Sequence, residues 1–165
     1  MSQVTTYYLE MKSPSLFKEG KNPKCLEVAE VGIRQFQLNK FLYQYVGEPW
    51  EWTDKLSWSD SQWQQYIERE NLKTWLAYIE GSPAGYYELE QLEGGNTEIA
   101  YFGLTPVFIG KGIGGYFLSE AIKSAWDWAG TKRVWAHTCT LDHPGALKNY
   151  LSRGMEIYHK ETDNK

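Results

Sequence analysis

The segment FIGKGIGGYF (108–117) places four glycines and a lysine within six positions, between an apolar run typical of a strand and one typical of a helix. Backbone N–H groups at a helix N-terminus are unpaired and carry partial positive charge, so phosphate binds there readily. Glycines let such a ligand approach the main chain, and Lys111 would add a charge-assisted contact. The loop is therefore predicted to hold a diphosphate, with a ligand-free glycine-rich turn as the alternative.

Two common phosphate-binding motifs do not fit this loop. A Walker loop ends in Gly-Lys-Ser/Thr, whereas Gly115 is followed by Tyr116 and Phe117. The dinucleotide fingerprint needs G-x-G-x-x-G spacing and an acidic residue about 20 positions further on, and neither is evident. The prediction thus rests on the strand-loop-helix context.

The segment HTCTLDH (137–143) contains potential metal ligands. His137 and Cys139 share one face of a predicted strand, and Asp142 and His143 follow directly. A structural zinc site usually needs closed tetrahedral spacing, and the sequence has no second Cys/His cluster. Packed side chains are therefore favoured over a metal site.

Aromatic residues concentrate in one window. Of the 8 Trp and 12 Tyr residues, seven fall within 43–66, together with Gly, Pro and acidic residues. Large aromatics mostly fill cores, but they can also wall a ligand pocket. An acidic residue among aromatics can bind an ammonium group by charge and cation–π contacts. The candidate walls are Trp50, Trp52, Asp54 and Trp58.

Length and composition exclude several classes of protein. The 165 residues fit a single domain (1–165), and a net charge of −4 without a Lys/Arg cluster argues against nucleic acid as a partner. There is no signal-peptide pattern and no apolar stretch of the roughly 18 residues that a membrane span needs. Cys25 and Cys139 imply no disulfide framework. We therefore expect a cytoplasmic protein that binds neither nucleic acid nor membrane.

Hydrophobic periodicity and turn residues predict a mixed α/β domain on one sheet. Gly81–Pro83 and Glu93–Asn96 are the predicted turns, and Gly130 is expected to stop the helix after the glycine loop. The predicted strands are 4–11, 25–33, 74–80, 84–92, 97–104, 133–139 and 155–160. The predicted helices are 36–45, 59–70 and 143–153, together with one after the glycine loop whose buried face comprises Ile113, Phe117, Leu118, Ala121, Ile122, Ala125 and Trp126.

Residues 97–155 resemble the acetyl-CoA-binding core of the GNAT N-acetyltransferase superfamily. The family's loop, Arg/Gln-x-x-Gly-x-Gly/Ala, follows a strand and a proline. LTPVFIGKGIGG supplies Pro106, Gly112 and Gly114, with Ile109 in the Arg/Gln position.

A second family motif, Asn-x-x-Ala-x-x-x-Tyr-x-x-x-Gly-Phe, is matched at the same spacing by His143, Ala146, Tyr150, Gly154 and Met155. His replaces Asn and Met replaces Phe. The resemblance implies a mostly antiparallel GNAT-like sheet flanked by helices, and such domains often form homodimers. We expect acceptor-side elements in 1–70 and the cofactor core in 73–160.

The resemblance also implies catalytic roles. Tyr150 matches the family tyrosine that protonates the leaving thiolate, which suits a phenol with a pKa near 10; simple packing is the alternative. Glu98 matches a glutamate that deprotonates the amine, usually through water; the alternative is a solvated strand-end carboxylate. Alternation is expected to place Glu98, Ala100 and Phe102 on one face. His137 as an auxiliary base, or water alone, also stays open.

The cofactor implied by the resemblance is acetyl-CoA. Main-chain groups of Phe102, Gly103 and Leu104 match the stretch that pairs with the pantetheine arm, and Gly103 fits a bulge where a ligand nears the backbone. His143 would contact the pantetheine or cap the helix. The residues expected to hold the diphosphate are Ile109, Gly110, Lys111, Gly112, Ile113, Gly114 and Gly115.

The activity implied is acetyl transfer from acetyl-CoA to a primary amine of a small molecule, peptide or protein. Two alternatives stay open. One is a non-catalytic acyl-CoA-binding module, and the other is an aromatic-rich interaction domain whose glycines serve only a turn.

Overall fold

The computed structural model describes residues 3–164, which form one seven-stranded sheet. The strands are β1 (Gln3–Met11), β2 (Glu27–Glu30), β3 (Leu72–Ile79), β4 (Ser82–Leu92), β5 (Asn96–Leu104), β6 (Arg133–Cys139) and β7 (Glu156–Asn164). The helices are α1 (Phe36–Gly47), α2 (Asp60–Ile67), α3 (Gly114–Asp127) and α4 (Ala146–Ser152). This mixed, mostly antiparallel α/β architecture confirms the predicted fold class.

The sheet order is β2-β3-β4-β5-β6-β1-β7, and β5–β6 is the parallel pair in it. β5 and β6 pair over three residues each: Asn96–Glu98 of β5 lies opposite Arg133–Trp135 of β6. Beyond these residues the two strands diverge and open a cleft between their C-terminal halves. The N-terminal strand β1 lies between β6 and β7, so part of the expected acceptor-side half packs beside the cofactor core.

Helices cover both faces of the sheet. α3 buries the predicted apolar face against strands β1, β4, β5 and β6, although Trp126 is only half-buried. On the opposite face, Leu42 and Val46 of α1 pack against Tyr86. Adjacent Tyr86 and Tyr87 lie in the two different clusters, as strand alternation requires.

Several element boundaries differ from the predicted ones. The β3–β4 turn is Glu80-Gly81, both with positive φ, and Ser82 and Pro83 already belong to β4; positive φ at both central residues is the geometry that suits a two-residue hairpin. α3 ends at Asp127, before Gly130. Strand β7 continues to Asn164 because β1 pairs with it that far.

The start of α2 agrees with its sequence signal. Ser59 Oγ accepts a hydrogen bond from the N–H of Gln62 at 3.2 Å, and Gln62 Oε1 accepts one from the N–H of Ser59 at 2.8 Å. This capping box satisfies two otherwise unpaired donors. No helix within residues 3–164 has the length and apolar character to cross a membrane.

Candidate active site

A cleft of about 630 Å³ lies where β5 and β6 diverge. The predicted site residues that line it are Trp50, Trp52, Asp54, Phe102, Gly103, Leu104, Ile109, Gly110, Gly112, Gly114, His137, His143 and Tyr150. Those that do not line it are Trp58, Glu98, Lys111, Ile113 and Gly115. The fold thus brings both predicted motifs to one cavity.

The glycine loop depends on left-handed backbone. Gly110 and Gly112 have φ of +78° and +80°, and a Cβ on either would meet no atom within 4 Å. These glycines are therefore required for backbone conformation and not for space. No side chain caps the N-terminus of α3, so its first N–H groups face the loop without a side-chain acceptor. Ile113 is buried in the core and can offer only its main chain.

Gly103 allows helix α1 to pack closely against strand β5. A Cβ on Gly103 would collide with Val46 of α1 and would lie 3.6 Å from the ring of Trp52. The bulge predicted at this position lies instead at Ala100, because Ile99 pairs with Leu89 whereas Tyr101 pairs with Glu88. The close approach at Gly103 is thus made by α1 on one face of β5.

The bulge at Ala100 rotates the side chains that follow it. Phe102 packs against Phe117 of α3, with ring centroids 4.9 Å apart. Glu98 lies on the opposite face, where its Oε2 is 3.8 Å from Nε2 of His137. The prediction that Glu98, Ala100 and Phe102 share one face is therefore wrong, since one extra residue inverts the alternation.

Glu98 has the environment of a general base. Its side chain is 13% exposed. Burial, followed by the charge of Glu90, raises the pKa of its carboxyl to about 7, against an opposing effect of Lys55. His137 shares the site, and burial lowers the pKa of its imidazole. At neutral pH both groups are partly or wholly able to accept a proton.

Tyr150 is buried on α4 and faces the cleft. Burial, and then the charges of Asp142 and Glu98, raise the pKa of its phenol. The phenol is therefore held neutral, as a proton donor must be.

The aromatic window divides into a part that lines the cleft and a part that does not. The indole of Trp50 meets the ring of His143 edge-on at 5.3 Å, which joins the acceptor-side segment to the start of α4. Trp52 packs on Tyr43 and Tyr101, and Gly47 leaves room for it, since a Cβ there would lie 2.6 Å from the Cβ of Trp52.

Trp58, predicted as an acceptor wall, belongs to a separate aromatic cage. The Nζ of Lys55 lies 4.8 Å, 5.0 Å and 4.8 Å from the ring centroids of Trp58, Tyr66 and Tyr101. It also donates a 2.7 Å hydrogen bond to the hydroxyl of Tyr101. The ammonium in this cage is thus the chain's own, and burial lowers its pKa.

Behind the cage lies a buried carboxylate that the sequence did not reveal. Glu88 accepts hydrogen bonds from the Tyr66 hydroxyl at 2.6 Å and from Asn39 Nδ2 at 2.8 Å. Burial raises the pKa of Glu88. In YELEQL it alternates with apolar residues and resembles an exposed strand position, so no local signal identifies it.

The residues that follow β6 have structural partners. Asp142 Oδ2 accepts hydrogen bonds from the Thr138 hydroxyl at 2.6 Å and from the N–H of Cys139 at 3.0 Å. His143 Nδ1 accepts one from the N–H of Gly145 at 2.9 Å, just before α4. In the part of the chain that the structure describes, no three His, Cys, Asp or Glu residues are grouped to hold a metal ion.

The cleft lining is acidic and aromatic. It includes the carboxylates of Glu51, Asp54 and Asp142 and, among the residues that the structure describes, no Lys or Arg. Asn149, which sequence reasoning missed, also lines it and donates a 3.0 Å hydrogen bond to the carbonyl of Gly114. This bond joins α4 to the first turn of α3.

A model of the acetyltransferase (GNAT) family matches residues 38–155, which include the glycine loop, Glu98 and Tyr150. The chain belongs to this family. No curated protein sequence matches it.

Solved structures share the GNAT fold at low identity. A GCN5-related N-acetyltransferase from Kribbella flavida aligns with a TM-score of 0.69 at 19% identity, covering 96% of this chain and 56% of that one. One from Sphaerobacter thermophilus has a TM-score of 0.69 at 16% identity, covering 95% and 49%. An aminoglycoside acetyltransferase from an uncultured soil metagenomic sample has a TM-score of 0.65 at 15% identity, covering 79% and 88%. The GNAT chain described here thus spans about half the length of the first two.

Proposed function

We propose that this GNAT domain transfers the acetyl group of acetyl-CoA to a primary amine. The observation that carries the proposal is that the glycine loop, Tyr150 and His137 line one cleft, with Glu98 3.8 Å from His137. Burial raises the pKa of the Glu98 carboxyl to about 7 and also raises the pKa of the Tyr150 phenol, so Glu98 can accept a proton while Tyr150 keeps its own. A base for the amine and an acid for the leaving thiolate are what acetyl transfer requires.

The residues present fit the diphosphate of acetyl-CoA. Gly110 and Gly112 hold the left-handed turns that expose the loop backbone, and α3 begins without a side-chain cap. The loop amides and the first N–H groups of α3 would bind the phosphates, and Lys111 is exposed beside them. The C-terminal half of β5 would bind the pantetheine arm along its free edge.

The proposed proton transfers use Glu98 of β5, His137 of β6 and Tyr150 of α4. Glu98 accepts the proton of the acceptor ammonium, through water or through His137, which lines the cleft 3.8 Å from it. The free amine attacks the thioester carbonyl, a C–N bond forms and the C–S bond breaks. Tyr150 donates its proton to the departing thiolate, and the second proton that the nitrogen loses on becoming an amide restores the phenol, directly or through solvent. A main-chain N–H of β5 would polarise the carbonyl oxygen.

The residues that line the cleft favour an acceptor that carries positive charge. Glu51 and Asp54 lie in the lining beside Trp50, and no Lys or Arg in residues 3–164 opposes them there. Carboxylates attract the ammonium, and an aromatic face binds it by cation–π contact. One of the structural neighbours is named as an aminoglycoside acetyltransferase, so aminoglycosides belong in the acceptor panel.

The test is calorimetric titration with acetyl-CoA followed by a thiol-release assay over a panel of amines. We expect binding of acetyl-CoA and turnover with at least one cationic amine. Binding with no turnover on any amine would favour a non-catalytic acyl-CoA module. A folded sample that does not bind acetyl-CoA would refute the proposal. The expected homodimer stays a prediction, which light scattering checks.

A further inference from the structure

Arg153 differs from the other arginines in the residues that the structure describes. Arg34, Arg69 and Arg133 donate hydrogen bonds to carbonyl or carboxylate oxygens. The main chain of Arg153 is hydrogen-bonded, but its guanidinium has no hydrogen-bond or ion-pair partner within residues 3–164, and its buried Nε lacks an acceptor. An unpaired buried donor is costly, so a missing partner at this position calls for a ligand or a structural reason.

The side chain of Arg153 is held between two glycines. It follows the last residue of α4, and a Cβ on Gly20 would collide with its Nη1, while a Cβ on Gly115 would lie 3.3 Å from that atom. Nearby main-chain groups are satisfied separately: Ser119 Oγ accepts from the N–H of Gly20 at 2.7 Å and donates to the carbonyl of Gly115 at 3.0 Å. The packing therefore positions the guanidinium without using its donors.

This position adjoins the glycine loop. Gly115 is the second residue of α3, so Arg153 stands at the first turn of the helix. Asn149, one turn earlier on α4, lines the cleft and is bonded to Gly114. The loop position where the family pattern has Arg or Gln is Ile109, which offers no donor.

We propose that Arg153 binds a phosphate group of CoA at this loop and supplies the cation that position 109 lacks. The inference rests on the proposed function. A guanidinium presents paired donors that match two phosphate oxygens. Because packing already holds this side chain, little of its conformational freedom is lost on binding. The ligand phosphate is either the diphosphate or the 3′-phosphate of CoA.

The experiment compares the binding of CoA and 3′-dephospho-CoA by calorimetry in the full chain. Arg153→Gln is expected to weaken CoA binding about tenfold or more, because the charge-assisted hydrogen bonds of the guanidinium are lost. Lys148→Gln removes the same charge from an exposed position on the same helix. This control is expected to stay within about twofold of wild type.

The pattern of losses identifies the phosphate. Weaker binding of both ligands by Arg153→Gln supports the inference at the diphosphate, and weaker binding of CoA alone supports it at the 3′-phosphate. Unchanged affinity for both would overturn it and make Arg153 a packing spacer. If Arg153→Gln does not fold, Arg153→Met removes the charge and keeps most of the side-chain volume, and unchanged affinity of that variant for both ligands would overturn the inference. Absence of CoA binding by wild type refutes the proposed function itself.

Discussion

Glu98 is expected to limit the stability of the folded protein while it serves the reaction. Burial raises its pKa from the ordinary 4.5 to about 7. Because one pKa unit corresponds to about 1.36 kcal/mol, ionising this carboxyl in the folded chain costs about 3 kcal/mol. A carboxyl with a raised folded-state pKa stabilises the fold most below its unfolded pKa. This stabilisation is lost as the pH rises from about 4.5 through about 7.

Glu98→Gln replaces the ionisable carboxyl with a neutral amide of nearly the same size and shape. Relative to wild type, its free energy of unfolding is expected to rise between pH 5 and pH 8 by about 2.5 kcal/mol, since part of the cost is already present at pH 5. In a domain of this size that difference corresponds to about 5–10 °C in Tm. Its acetyl-transfer rate is expected to fall over the same range because the base is gone.

The assay is urea unfolding at pH 5 and pH 8 for wild type, Glu98→Gln and a control, Glu156→Gln, which changes an exposed carboxyl. A stability difference between wild type and Glu98→Gln that does not change with pH would refute the reasoning. A Glu156→Gln variant that behaves like Glu98→Gln would show that the effect comes from net charge and not from burial.

Four further outcomes are expected. Tyr150→Phe should lower kcat by about 10²-fold or more and leave acetyl-CoA affinity unchanged, measured by single-turnover rates and calorimetry; an unaltered kcat would exclude the general-acid role. Gly112→Ala should weaken acetyl-CoA binding, because its φ of +80° disfavours a Cβ, and unchanged affinity would contradict this. Lys55→Met should move the rising limb of the pH–rate profile to higher pH, since the Lys55 charge holds the pKa of Glu98 down. Ser59→Ala should cost about 1 kcal/mol in urea unfolding through loss of the α2 cap, and no loss would contradict that role.

Elements with local signals were predictable. The α2 start at Ser59 is encoded by a capping box four residues long. The buried face of α3 follows from apolar spacing along one helix, and β6 has the predicted bounds Arg133–Cys139. The glycine loop could also be placed between a strand and a helix. In each case neighbouring residues supply the deciding interactions.

The arrangement of the site was less predictable. The bulge at Ala100 reverses the faces of Glu98 and Phe102, and it exists only through the register between β4 and β5. The cage around Lys55 joins residues from α2, β5 and the segment between α1 and α2. Such contacts depend on packing between distant segments, which sequence periodicity does not record.

The sequence by itself determined a mixed α/β domain, a glycine loop suited to a diphosphate, and the spacing that brings Tyr150 onto the helix after β6. Only the tertiary structure decided that β1 lies between β6 and β7, that burial raises the pKa of Glu98 to about 7, and that the guanidinium of Arg153 lies beside Gly115 with no acceptor for its Nε. The physical reason is the distance along the chain over which each interaction acts. Propensity, capping and periodicity act within a few residues, whereas register, desolvation and side-chain pairing depend on segments that meet only in the folded chain.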